Sequence, residues 1–198
     1  ESLRTLGVTA IHLELGDVGI FRELMRNVEL AEKDENALFD LIQQKSVASL
    51  KLQAGQLGLP AKLCEQLVTL PTLCGTSAII EDALELFSGA AQIEARLENL
   101  AKLYGAITDR FEDIDVYFDL SELRGYGYHT GIVFAGYIEG ERQCIAKGGR
   151  YDDVGEVFGR ARSATGFDMD AKALLGVVDF NQNEGKRVLA KPANNSAT

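Results

Sequence analysis

The sequence predicts an α+β domain, an antiparallel sheet flanked by helices, and three observations carry the prediction. A strand pattern runs into a capped helix between Val8 and Val28, a helical texture fills the chain from Asp34 to about Arg110, and strand-like runs joined by glycine-bearing turns follow Phe111. Helices followed by consecutive strands belong to this class, whereas a parallel sheet would alternate strand and helix.

Ser2-Leu3-Arg4-Thr5-Leu6-Gly7 reads as the tail of a helix with its glycine stop. Because the chain opens on Glu1, not Met, the N-terminal part of the fold is expected to be absent. From Val8 to Leu15, Ile11, Leu13 and Leu15 fall on one face at the two-residue period of a strand, with His12 and Glu14 on the other. Asp17 then caps a helix in which Ile20, Phe21, Leu24 and Val28 recur at helical spacing, and Glu32-Lys33-Asp34-Glu35 forms a solvated boundary.

Apolar stripes mark the helices that follow: Leu38, Leu41 and Ile42; Val47, Leu50, Ala54 and Leu57; Leu63, Leu67 and Leu70; Ile93, Leu97, Leu100 and Tyr104. Breaks are expected at Gly58-Leu59-Pro60, Leu70-Pro71, Gly75 and Gly89. These stripes are packing surfaces, and nothing in them requires a cofactor. Strands are expected at 116–120, 131–138 and 142–146, with Glu139-Gly140-Glu141 as a hairpin turn between the last two. The domain reading is therefore a core made of residues 1–33 and 111–180, a helical insertion at 34–110, and a polar, disordered tail at 181–198.

Composition narrows the function. Thirty acidic residues against 20 basic ones leave a net charge of −10, which repels a phosphate backbone and argues against nucleic-acid binding. Cys64, Cys74 and Cys144 have no C-x-x-C spacing, so the expected state is three buried thiols in a reducing cytoplasm. No apolar run approaches the roughly 20 residues of a membrane helix, and no signal peptide is recognisable. With only two histidines in the chain a multi-histidine metal site is not expected. The acidic pairs Asp152-Asp153 and Asp168-x-Asp170 fit a solvated turn and a helix cap better than a cation site. Neither a dinucleotide-binding nor a P-loop glycine pattern is present.

Two clusters carry the candidate chemistry: Leu123-Arg124-Gly125-Tyr126-Gly127-Tyr128-His129-Thr130-Gly131, and Ala146-Lys147-Gly148-Gly149-Arg150-Tyr151-Asp152-Asp153. Glycine lets backbone approach a ligand, aromatic rings wall a pocket, and arginine offers a forked pair of donors to an anion. From chemistry alone they fit equally a pocket for a small anionic or zwitterionic molecule and sheet-edge turns bearing surface arginines.

The clusters resemble the two signatures of histidyl-tRNA synthetases, approximately R-G-L-D-Y-Y-T-G and A-G-G-R-Y-D-G-L. Arg124-Gly125, Tyr128 and Thr130-Gly131 match the first, and Gly148 to Asp152 match the second. The resemblance covers Glu1 to about Lys33 and Phe111 to about Val178, and it implies a class II aminoacyl-tRNA-synthetase-like fold. Departures point away from aminoacylation. Gly127 and His129 replace an aspartate and a tyrosine, and Ala173 stands where the third class II motif carries its ATP-binding arginine, with Asp168 and Asp170 nearby.

That combination is similar to the regulatory-subunit paralogues of ATP phosphoribosyltransferase. The resemblance implies a cytoplasmic, non-catalytic protein that pairs with the short-form catalytic subunit, activates it and takes part in feedback inhibition by free histidine. A homodimer within a hetero-oligomer, with no cofactor and no metal, is implied as well. It further implies a histidine site of Arg124, Tyr128, His129, Gly148, Gly149 and Tyr151, with Arg124 on the ligand carboxylate, the aromatic residues around the imidazole, and the glycines admitting the backbone. The alternatives are a divergent histidyl-tRNA synthetase or histidine-activating ligase, and a histidine-sensing domain attached to another effector.

Overall fold

A computed structural model describes residues 2–5, 7–8, 10–140, 143–153, 155 and 159–177. The tail expected at 181–198 lies outside the described residues.

A short helix, α1 (Ser2–Thr5), ends near Gly7, whose φ of +81° is the left-handed stop read from the sequence. Strand β1 (Ile11–Asp17) leads directly into α2 (Val18–Met25), and the Asp17 carboxylate accepts the Gly19 N–H at 2.8 Å as the expected cap. Val28, placed in this helix by periodicity, lies beyond its last turn. Next come α3 (Glu32–Gln43), α4 (Val47–Gln56) and α5 (Ala61–Thr69), a single 3₁₀ turn at Leu70–Thr72, strand β2 (Cys74–Gly75), and helices α6 (Ile79–Leu86) and α7 (Ala91–Arg110). Strands β3 (Ile114–Asp119), β4 (Ile132–Ile138), β5 (Ala146–Arg150) and β6 (Thr165–Met169) and helix α8 (Ala171–Val177) are the last elements among the described residues. The helix breaks fall where glycine and proline placed them, Gly58 and Gly89 adopting φ of +65° and +85°.

The strands form one sheet in the order β2-β3-β1-β4-β5-β6. Neighbours are antiparallel except β1 and β3, which are parallel. A parallel pair needs a long crossover, and α2 to α7 supply it. The helical stripes close over one face. Leu38, Ile42, Leu50, Ala54, Leu67, Leu70, Leu97 and Leu100 are fully buried with Leu15 and Phe118 of the sheet in one cluster, each large side chain contributing about 1.5–3 kcal/mol. Tyr104, the last member of its stripe, meets the Phe118 ring at 5.7 Å.

Three expectations are corrected. The strand placed at 142–146 is found at Ala146–Arg150, with Ile145 leading into it through bonds to the Gly136 carbonyl and from the Asp170 N–H, and Arg142 lies outside the described residues. Thr165–Met169, not read as a strand, is one, since β5 offers it a full ladder of partners. Cys74–Gly75, read only as a break between helices, pairs with the end of β3. Of the expected hairpin turn, Glu139 and Gly140 form a turn, with Gly140 at φ +87°, while Glu141 lies outside the described residues.

Candidate functional site

In a sheet, residues directly opposite one another share a face. The register therefore sorts β1, β4, β5 and β6 into rows running across the strands. One row is Leu15, Phe134, Gly148 and Phe167, beginning on the helix-covered face. The flanking rows lie on the opposite, open face: Gly16, Val133, Gly149 and Gly166, and then Glu14, Ala135, Lys147 and Asp168.

The glycine row is a floor on which other side chains lie. A Cβ on Gly149 would stand 2.7 Å from both His129 Cδ2 and the Ile132 carbonyl oxygen, one on Gly166 would collide with the Tyr151 hydroxyl, and one on Gly16 would meet the Asp119 carbonyl oxygen at 2.7 Å. Glycine is required here for close approach by the protein's own groups. The charged row beside it, with the residues above the floor, encloses a cleft of about 370 Å³.

The two sequence clusters build its walls and hold each other. Thr130 N–H donates to the Arg150 carbonyl at 2.8 Å, and the Asp152 N–H donates to Thr130 Oγ1 at 3.1 Å. Gly125, at φ +70°, turns the first cluster back so that the N–H groups of Tyr128 and His129 both reach its carbonyl. From below, Arg22 of α2 donates through Nη2 to the carbonyls of Tyr126 and His129 at 2.8 and 3.0 Å while its guanidinium lies 5.0 Å from the Tyr126 ring centre. Tyr126 packs against Phe21 and Phe39 at 5.4 and 5.3 Å. The turn is thus fixed to two helices.

One end of the cleft is aromatic. Tyr128 lies 5.4 Å from His129 and 5.0 Å from Tyr151, and the His129 and Tyr151 centres are 6.5 Å apart. The other end is polar. Arg124 Nη2 donates to Glu122 Oε2 at 2.6 Å and to Glu14 Oε1 at 3.2 Å, and Nε donates to Glu122 Oε2 at 3.1 Å. These hydrogen bonds to Glu122 hold the guanidinium proton more firmly than usual. Burial pushes the Glu14 carboxyl above the ordinary carboxylate range, the Glu122 charge pushes the same way, and Arg124 pulls it back.

Five of the six residues assigned to the site, Arg124, Tyr128, His129, Gly148 and Tyr151, line this one cleft. Gly149 lies beneath the His129 ring, so its missing side chain makes room for His129. Sequence reasoning missed Glu14, Glu122, Lys147 and Asp168 as lining residues. Glu14 had left a trace, since the alternation in β1 set it opposite the apolar residues. The other acidic candidates behave as structural groups: Asp152 is paired with Arg150 Nε at 2.9 Å, and Asp170 caps α8 by accepting the Lys172 and Ala173 N–H groups. Ala173 packs among the small apolar cluster of Val8, Ile11, Ile138, Ile145 and Leu174. The three cysteines are free and half-buried, less enclosed than expected. Among the described residues no group of His, Cys, Asp and Glu could hold a metal ion, and no helix is long and apolar enough to cross a membrane.

Comparison with known proteins places the chain among relatives. The family model described as histidyl-tRNA synthetase matches residues 1–174. The ATP phosphoribosyltransferase regulatory subunit of Thioalkalivibrio sulfidiphilus is 43% identical over 176 residues, 88% of this chain and 45% of that protein. The crystal structure of an ATP phosphoribosyltransferase regulatory subunit/histidyl-tRNA synthetase from Bacillus halodurans superposes with a TM-score of 0.73 at 27% identity, over 90% of this chain and 48% of that one. A chain of the ATP phosphoribosyl transferase (HisG:HisZ) complex of Thermotoga maritima has the same fold, with a TM-score of 0.60 at 16% identity over 82% and 54% of the two chains. The class II synthetase-like α+β fold and the resemblance to the regulatory-subunit paralogues are both borne out. The chain spans about half the length of the curated relatives it matches.

Proposed function

The chain belongs to the histidyl-tRNA synthetase family, and from that premise we propose that it is the histidine-binding part of a non-catalytic regulatory subunit of ATP phosphoribosyltransferase in histidine biosynthesis. The observation that carries the reading is the composition of the cleft. Carboxylates at one end suit an α-ammonium group, and the Tyr128, His129 and Tyr151 rings at the other suit an imidazole. Arg124, Gly148 and Gly149 complete the proposed site, Arg124 by ordering Glu14 and Glu122, and Gly149 by seating His129.

The loss of catalysis rests on α8. Adenylation needs fixed cations where phosphate charge accumulates, and Ala173 stands in the place of the motif's arginine, beside Asp168 and Asp170. In the whole protein the partner is the ATP phosphoribosyltransferase catalytic subunit, which this subunit activates in the cytoplasm as a homodimer within a hetero-oligomer. Residues 34–110 serve as a helical insertion in a core of 1–33 and 111–180. Histidine inhibits by linkage, shifting the assembly by its difference in affinity between active and inhibited states, typically about 1–3 kcal/mol.

Calorimetric titration with histidine and, separately, ATP tests this. Histidine binding without ATP binding is expected. ATP binding together with pyrophosphate exchange would instead establish a divergent synthetase or histidine-activating ligase.

A further inference from the structure

Arg124 is the obvious group for the carboxylate of a bound amino acid, but its Nη2 and Nε are already engaged by carboxylates, and only Nη1, 3.9 Å from Cys144 Sγ, has no carboxylate partner. Nη2 and Nε serve Glu122 and Glu14 at 2.6 to 3.2 Å, and both carboxylates are largely enclosed, their side chains 15% and 20% exposed. A ligand carboxylate that captured this guanidinium would leave two neighbouring carboxylates without their counter-charge, in surroundings that already disfavour ionised Glu14.

Lys147 is in the opposite situation. It lines the same cleft, is exposed, and its ammonium has no hydrogen-bond or ion-pair partner among the described residues. Its cross-strand neighbour Asp168 carries the opposite charge, yet the two form no ion pair. Against the synthetase signature A-G-G-R-Y-D, Lys147 occupies the alanine position ahead of the two glycines. A surface lysine in solvent would explain the exposure alone, but not its position in the charged row.

That row reads Glu14, Ala135, Lys147, Asp168 across four strands. Glu14 and Lys147 are two strands apart, about 10 Å between backbones. Ala135 is the residue between them in the sheet. An acid and a base facing each other over a small residue form a cradle for a zwitterion, and the aromatic end of the cleft lies beside it over the glycine row.

We propose that Lys147, rather than Arg124, receives the carboxylate of the bound amino acid, with Glu14 and Glu122 receiving its ammonium group and Arg124 acting as the positioning residue for those two acids. The assignment rests on the histidine-binding reading and adds the residue that makes the site specific for an amino acid over its decarboxylated amine.

The test is calorimetric titration of the wild-type protein, Lys147→Ala and Lys147→Arg with L-histidine and with histamine, which keeps the imidazole and ammonium and lacks the carboxylate. The wild type should prefer histidine by about 10-fold or more, the worth of one charge-assisted hydrogen bond. Lys147→Ala should lose that preference by weakening histidine alone, and Lys147→Arg should restore most of it. If Lys147→Ala retains the preference, or weakens both ligands equally, the assignment is overturned although histidine binding stands. If the wild type binds neither ligand at millimolar concentration, the histidine reading itself fails and this assignment falls with it.

Discussion

Each face of the sheet holds an arginine between two carboxylates, and the two clusters differ in how far water reaches them. On the helix-covered face, Arg96 of α7 meets Asp17 Oδ1 at 3.2 Å and Glu23 Oε1 at 3.6 Å, with the Asp17 and Glu23 side chains 3% and 7% exposed. Burial raises the Asp17 carboxyl above its ordinary range, and Arg96 and the Gly19 N–H pull it back. On the open face, Arg124 is 48% exposed, and Glu122 and Glu14, though largely enclosed, are more exposed than Asp17 and Glu23. The same chemical trio is therefore a closed junction between helices and sheet in one place and the accessible end of a cleft in the other. Enclosure decides whether such a cluster holds the fold or is available to a ligand.

Removing each arginine is the sharpest way to break this comparison. Arg96→Met should destabilise by about 3–5 kcal/mol, because it strands the Asp17 charge in the interior. Arg124→Met should cost less, roughly 1–2 kcal/mol, since solvent reaches the half-exposed guanidinium although Glu14 and Glu122 lose their counter-charge, and it should weaken histidine binding by disordering those two acids. Urea unfolding read beside histidine titration checks both. Equal stability losses would mean that the two clusters do the same work.

The glycine floor gives a smaller effect confined to the open face. In Gly149→Ala the new methyl would stand 2.7 Å from the Ile132 carbonyl oxygen and from the His129 ring. Backbone on one side prevents easy relief, so a loss of roughly 1–3 kcal/mol is expected, together with a displaced His129 and weaker histidine binding. Full stability with unchanged affinity would show that His129 does not need its seat.

The two clusters were unequally legible in the sequence. The helical stripes, the Asp17 cap and the glycine stops are local, periodic signals, and the structure follows them closely. The glycine, tyrosine and arginine motifs fit a pocket and sheet-edge turns equally by their chemistry, and it is their resemblance to the synthetase signatures that points to a site. Glu14, Glu122 and Lys147 did not stand out, because their meeting depends on registers between β1, β4 and β5 that no local pattern encodes. Arg96 and Asp17 lie far apart in the chain and meet only when α7 packs on the sheet. Strand β6 was missed for a related reason: Thr165 to Met169 has no strong alternation of its own and takes its conformation from the ladder that β5 provides.

The smallest expected effect concerns the pH dependence contributed by Glu14. Its folded-state pKa is raised above the unfolded value, first by burial and then by Glu122. Between the two values the native protein binds more protons than the unfolded chain, so the contribution of Glu14 to stability falls as pH rises through that window and grows as pH drops. Glu14→Gln removes the titration while keeping the shape. Relative to wild type, the variant should therefore gain most at neutral pH and lose that advantage toward acid. Chemical denaturation at a series of pH values from neutrality down through the carboxylate range measures the difference, and a variant advantage that grew toward acid would reverse the assignment. Asp17 is raised by burial as well, so it supplies the same sign of pH dependence from the closed face and persists in the variant. The residual slope in Glu14→Gln includes the contribution of the enclosed cluster, and Asp17→Asn in that background isolates it.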